Sequence, residues 1–204
     1  MLPSNQEVRD ILIQNKFLDI LQNVLETKEI SESQQFARVY ISFCNLFLEV
    51  KPYMGFKNCI NFYLLAYRMI MQIDPTTELN KESTYMLADC LKILKTTLKI
   101  ASSYEGYRML NDMVDLLPRL KSFLTERNVK HSEFIIGLVI EVVGYFLSLS
   151  GENSEIEGIL EHSGIIAAVR PFLRHSDLLI KEEALFVYLN YCITDCHDNA
   201  MELA

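Results

Sequence analysis

The sequence has little of what β structure needs. Glycine totals 7 in 204 residues, period-two alternation is rare, and no Asn-Gly or Asp-Gly pair separates two apolar runs, so hairpin and sandwich folds find no support. Basic residues are in deficit, 19 Lys and Arg against 27 Asp and Glu for a net charge of −8. They are also scattered along the chain. Binding to phosphates needs them clustered, which argues against nucleic acid and against an anionic membrane as partner, and favours a basic one. Cysteines number 5, namely Cys44, Cys59, Cys90, Cys192 and Cys196. The odd number, with a start "MLPSNQEVRD" that lacks the basic and apolar regions of a secretory signal, leads to the expectation of reduced thiols and residence in the cytoplasm and nucleus.

No long uninterrupted apolar run exists either. The nearest is "FIIGLVIEVVGYFLSLS", Phe134 to Ser150. Glu141 interrupts it, it falls short of the roughly twenty residues that a bilayer demands, and no asymmetry of Lys and Arg flanks it. A buried helix is the expected form. Walker, GxGxxG and HExxH signatures are missing, and His131, His162 and His175 lack an evident nucleophile or carboxylate arrangement. "CITDCH" puts Cys192, Cys196 and His197 close together, without a second pair to complete four ligands. The chain is expected to be a non-enzyme with no metal and no cofactor.

What the chain does have is half its residues apolar and an internal repetition. Four short segments share a pattern of a large apolar residue or Tyr, a polar residue, a variable position and two apolar residues. They are "LQNVL" from Leu21, "YRMIM" from Tyr67, "LKSFL" from Leu120 and "VRPFL" from Val169, with starts 46, 53 and 49 residues apart. After each comes a polar break, then a long helix-compatible segment: "FARVYISFCNLFLEV", "STYMLADCLKILKTTLKI", "EFIIGLVIEVVGYFLSLS" and "IKEEALFVYLNYCIT". In the last of these Ile180, Ala184, Val187 and Tyr191 fall on one helical face, while Lys181, Glu182 and Glu183 gather in the expected first turn, the acidic pair near the positive end of the macrodipole.

A period of 40 to 50 residues with two or three helices per unit points to an all-α solenoid of armadillo or HEAT type, with a compact helical bundle as the competitor. The approximate repeats are 6–51, 52–101, 102–152 and 153–196. Residues 197–204, "HDNAMELA", read as the opening of a further helix.

The order of features resembles the importin alpha family of armadillo-repeat adaptors. "VRDILIQNKFLDIL" looks like the family's Arg-Asp-apolar helix, "FCNLFLEVKP" like its Ser-Asn-Leu helix end with a Lys-Pro loop, "EVVGYF" like its Val-Gly-Asn helix, and "LIKEEALFVYLNYC" like its Ile-Lys-Lys-Glu-Ala helix ending in Trp-x-x-x-Asn. The four occur in the family's order and span nearly the whole chain. The resemblance implies a right-handed superhelical solenoid of about four repeats. Its inward-curving groove would bind basic nuclear localisation signals during nuclear import, with Trp slots for Lys and Arg stems and Asn side chains holding the peptide backbone.

Carried across residue by residue, that pattern places Asn45 with Ile41 in the first repeat, Leu91 with Lys95 in the second, Glu141 with Tyr145 in the third and Phe186 with Asn190 in the fourth. Only the last pair keeps both an aromatic and an amide, and no Trp exists to form the ladder. Asn45, Glu141, Phe186 and Asn190 are therefore the candidate peptide-binding residues. An aromatic face attracts a cation, and an amide can donate and accept at once. Against that stand plainer roles: Asn45 and Asn190 bonded to nearby backbone, Phe186 in the core, Glu141 a solvated charge, and Lys95 an exposed cation that would repel a basic peptide if it faced the groove.

The partner expected is a basic protein or peptide. Binding of importin beta is not expected, since the family's basic leading segment has no counterpart ahead of "VRDILI". The alternatives are an armadillo scaffold that has lost signal recognition and binds other proteins, or, more distantly, a hydrolase with a dispersed site.

Overall fold

The computed structural model describes residues 7, 11, 56–100, 103–126, 132–150 and 154–193. By its internal contacts the chain divides into a unit Met1–Met54 and a unit Gly55–Ala204. The second unit carries the described helices. They are α1 (Phe56–Gln72), α2 (Lys81–Ile100), α3 (Ser103–Thr125), α4 (Glu133–Ser150), α5 (Ser154–Ser163), α6 (Ile165–Val169), a 3₁₀ turn (Arg170–Arg174) and α7 (Leu178–Ile193). No strand occurs among the described residues, and the fold there is all-α. The segments "LQNVL" and "FARVYISFCNLFLEV", and with them Ile41 and Asn45, lie outside the described residues.

Polar breaks become helix starts because each supplies a side chain that accepts from the orphan N–H groups of the next first turn. Asn80 Oδ1 accepts from Ser83 N at 2.8 Å ahead of α2. Ser132 Oγ accepts from Ile135 N at 3.4 Å ahead of α4. Asp177 Oδ1 accepts from Leu179 N at 2.8 Å ahead of α7. This last cap corrects one expectation. The helix begins at Leu178, so Glu182 and Glu183 sit in its second turn, and the first turn carries no acidic residue. The favourable interaction with the macrodipole, which fades within the first turn, therefore belongs to Asp177.

The short repeated segments fall at equivalent places. "YRMIM" ends α1, "LKSFL" ends α3, and "VRPFL" runs from the end of α6 through the 3₁₀ turn. Each is followed by the break and the capped helix. Gly164 separates α5 from α6 at φ 63, a left-handed conformation that side chains resist. Its N–H closes the end of α5 on the Leu160 carbonyl at 3.1 Å.

Packing links the pairs α1–α2, α3–α4 and α6–α7. Between pairs, α2 lies against α4 and α4 against α7, while α1 lies against α3 and α3 against α5 and α6. The result is two layers: α2, α4 and α7 in one, and α1, α3 and the α5–α6 stretch in the other.

Helix α4 touches α2, α3 and α7, and its apolar circumference follows from that position. Ile135, Val139, Ile140, Val142, Val143, Phe146 and Leu147 are all buried, as expected of a helix with neighbours on most sides. Most of the run from Ile135 to Leu147 is thus core, while Phe134 ahead of it is exposed. No helix among the described residues is long and apolar enough to cross a membrane.

In α2, Leu87, Leu91, Leu94 and Leu98 are buried on one stripe, with Cys90, Ile93 and Thr97 beside them. The buried Thr97 hydroxyl donates to the Ile93 carbonyl at 2.8 Å, which satisfies it inside its own helix. Within one layer, Arg119 Nη2 donates to the Met71 carbonyl at 3.0 Å, closing the C-terminal end of α1 from α3. Tyr188 OH donates to the Ile166 carbonyl at 3.1 Å, tying α7 to α6.

Candidate functional site

The layer of α2, α4 and α7 presents residues at helical spacing on one side. From α2 come Lys92, Lys95 and Lys99; from α4, Phe134, Leu138, Glu141 and Tyr145; from α7, Leu179, Glu183, Phe186 and Asn190. Spacings of three and four keep each set on one face of its helix, and cross-helix contacts join the sets. Lys95 Nζ lies 2.8 Å from Glu141 Oε1. Lys99 Nζ sits 5.6 Å from the centre of the Tyr145 ring, and Lys92 Nζ 5.5 Å from that of Phe134. The Tyr145 and Phe186 rings meet edge to face at 5.5 Å. Asn190 Nδ2 donates to the Gly144 carbonyl at 3.2 Å.

Of the sequence-derived candidates, Glu141, Phe186 and Asn190 come together on this side, and Asn45 lies outside the described residues. Each has a partner within the protein. Phe186 is half-buried, its ring laid over Gly144 so closely that a Cβ there would stand 2.5 Å from Cδ1. Asn190 bonds backbone, that of the neighbouring helix, and spends one of its amide hydrogens there.

Lys95 departs from the expectation of an exposed cation. Its side chain is 28% exposed and paired with Glu141, itself 19% exposed. Leu91, placed by the resemblance at the aromatic position of its repeat, is fully buried and takes no part in the face.

Between the N-terminal halves of α4 and α7 the surface opens into a cavity of about 420 Å³. Phe134, Gly137, Leu138, Leu179 and Ile180 form an apolar floor. Glu133, Glu141, Asp177 and Glu183 bring carboxylates to it, and among the described residues no Lys or Arg lines it. Leu179 and Phe134 remain 71% and 55% exposed. Burial holds the Glu183 carboxyl above its ordinary range, the neighbouring Glu141 charge pushes it the same way, and Lys95 opposes the shift. An apolar floor under carboxylates suits a long cationic side chain, whose stem can lie on Leu and Phe while the head meets oxygen.

No family model matches the chain, and no curated protein matches it.

Sequence reasoning missed Glu133, Asp177 and Glu183 as one group, and missed the lysines of α2 as a set. Part of the signal was present: positions 134, 138, 141 and 145, and 179, 183, 186 and 190, each follow helical spacing through a candidate residue. Among the described residues no group of three or more His, Cys, Asp and Glu is arranged to hold a metal ion. Cys196 and His197 of the "CITDCH" stretch lie outside the described residues. His175 is taken up locally, its Nδ1 accepting from Asp177 N at 3.1 Å.

Proposed function

We propose that the protein is an armadillo-type adaptor, similar to importin alpha, that binds extended basic segments of other proteins and serves nuclear import between cytoplasm and nucleus. The observation that carries this reading is the cavity between α4 and α7, in which four carboxylates surround an apolar floor that no described Lys or Arg lines, with Lys95 reaching Glu141 from outside it. Phe186 and Asn190 lie farther along the same face, where a guest leaving the cavity would run. Stacking of α2, α4 and α7 in one layer, with α1, α3 and α5–α6 in the other, supports a solenoid. The face lends itself to recognition by charge and by backbone hydrogen bonds, with no reacting group required.

Titration of a fluorescent Lys/Arg-rich peptide against the full chain tests it. The variants are Asn190→Ala and Glu133→Gln, neither of which removes a helix cap. A hydrogen bond lost at Asn190 corresponds to about 1 kcal/mol, a several-fold loss of affinity. The peptide should also bind more weakly as salt rises, since exposed charges are screened within about 8–10 Å at physiological ionic strength. Equal affinity of wild type and both variants removes this face from the reading.

A second reading is a scaffold that docks other proteins and has lost signal recognition. Leu178, Leu185 and Leu189 of α7 favour it, being 64%, 48% and 62% exposed. Apolar docking there would resist salt, and the same titration separates the two.

A further inference from the structure

Three lysines of α2 stand at intervals of three and four, Lys92, Lys95 and Lys99. Each meets a group on α4 of the kind a guest lysine would seek. Lys95 Nζ reaches the Glu141 carboxylate at 2.8 Å, and Lys92 and Lys99 lie over the Phe134 and Tyr145 rings at 5.5 and 5.6 Å. Carboxylate and aromatic faces are the two kinds of group on this surface that attract cations. On the α2 side of α4 both are already filled from within the protein. On the α7 side, Glu133, Asp177 and Glu183 line the cavity, and no described Lys or Arg shares that lining.

We infer that α2 is an internal competitor: Lys95, supported by Lys99, occupies Glu141 and Tyr145 in place of a guest's cations and confines a basic segment to the α4–α7 half of the face. The inference rests on the basic-peptide reading given above and adds its regulation. A guest ammonium that reaches Glu141 must displace Lys95 from a contact whose two side chains are 28% and 19% exposed. It also meets the repulsion of the displaced charge. Glu141 is shared between the two halves, since it both pairs with Lys95 and lines the cavity. Lys95 thus sets how much negative charge the cavity offers. Removing the Lys95 charge makes that carboxylate available to a guest without altering the cavity wall on α7.

The test is a peptide titration on the full chain with Lys95→Met, which keeps the aliphatic stem and drops the charge. Lys95→Arg keeps the charge and the ion pair. Lys81→Met serves as a control: it removes a lysine from the same stripe of the same helix about 21 Å along the axis from Lys95, where Nζ lies 5.9 Å from the Tyr85 ring. Lys95→Met should bind the Lys/Arg-rich peptide about tenfold more tightly than wild type, the change that 1.4 kcal/mol represents. Lys95→Arg and Lys81→Met should match wild type, and adding Glu141→Gln to Lys95→Met should abolish the gain. If wild type binds and Lys95→Met binds no better, or if Lys81→Met gives the same gain, α2 is no competitor and the inference falls while the peptide-binding reading stands. If the peptide binds none of these proteins, the reading itself fails and takes the inference with it.

Discussion

Two glycines of α4 face α7 with different amounts of room, and substituting each by alanine separates backbone preference from packing. A Cβ on Gly137 would lie 3.8 Å from Ile180 Cγ1, an ordinary contact. A Cβ on Gly144 would stand 2.5 Å from Phe186 Cδ1, 2.8 Å from Cε1 and 3.5 Å from Val187 Cγ2. In a helix interior Gly→Ala is worth about 0.5–1 kcal/mol in favour of the folded state. At Gly137 that gain should stand alone, so Gly137→Ala should stabilise by about that amount. At Gly144 the Phe186 ring has to move, and forcing atoms into a filled space costs about 1–3 kcal/mol. The net effect there should run from roughly neutral to about 2.5 kcal/mol destabilising. Urea denaturation of the full chain, followed by far-UV circular dichroism, compares the two. The separation between the variants is the quantity to read, because unfolded-state effects of Gly→Ala are common to both. Gly144→Ala stabilised as much as Gly137→Ala would refute the close approach of α4 and α7, and with it the placement of Phe186 on this face.

Three further outcomes follow from the same packing. The Glu183 carboxyl is raised by burial and by the Glu141 charge, so the folded state holds a proton there more tightly than the unfolded chain, and stability falls as pH rises through the window between the two pKa values. Glu183→Gln should therefore raise the melting temperature at neutral pH, with the advantage shrinking on acidification; an advantage that grows in acid contradicts the sign. Burial pushes the Cys90 thiol well above its usual range, whereas Cys192 is exposed, so iodoacetamide with peptide mapping should modify Cys192 in the native protein and Cys90 only after unfolding. Arg119→Met should lower stability by about 1.5–3 kcal/mol, the range for a hydrogen bond from a charged donor, because the Met71 carbonyl loses its partner; a loss under about 0.5 kcal/mol would mean that water replaces the guanidinium.

Much of the helical layout was legible in the chain because its causes are local. Asn80, Ser132 and Asp177 cap helices where the polar breaks stood, and of the apolar stripe Ile180, Ala184 and Val187 are buried while Tyr191 is half-buried. The first turn of α7 was misplaced because the helix-compatible segment was begun at Ile180, two residues beyond the true start at Leu178, although Asp177 is itself a strong cap.

Less of the face was legible. The sequence positions of Phe186 and Asn190 suggested a site, and both lie on the same layer as Glu141. What they touch depends on residues about 40 to 46 positions away, a separation at which no spacing rule operates. Glu141 reads as a solitary acid inside an apolar run, yet its partner Lys95 belongs to another helix pair. Leu91 and Lys95 differ by one turn, and only packing decided that the first is core and the second is on the face.

Asp177 holds two posts at once: its carboxylate closes the first turn of α7 and also forms part of the cavity wall. Evolution or an engineer who adjusts the charge of this recess at that position therefore loosens a structural fastening in the same stroke, unless the replacement is asparagine or serine, which cap about as well without the charge. Tuning of this recess is thereby channelled toward Glu133 and Glu183, which leave that fastening untouched, and drift at position 177 is restricted to a very small alphabet.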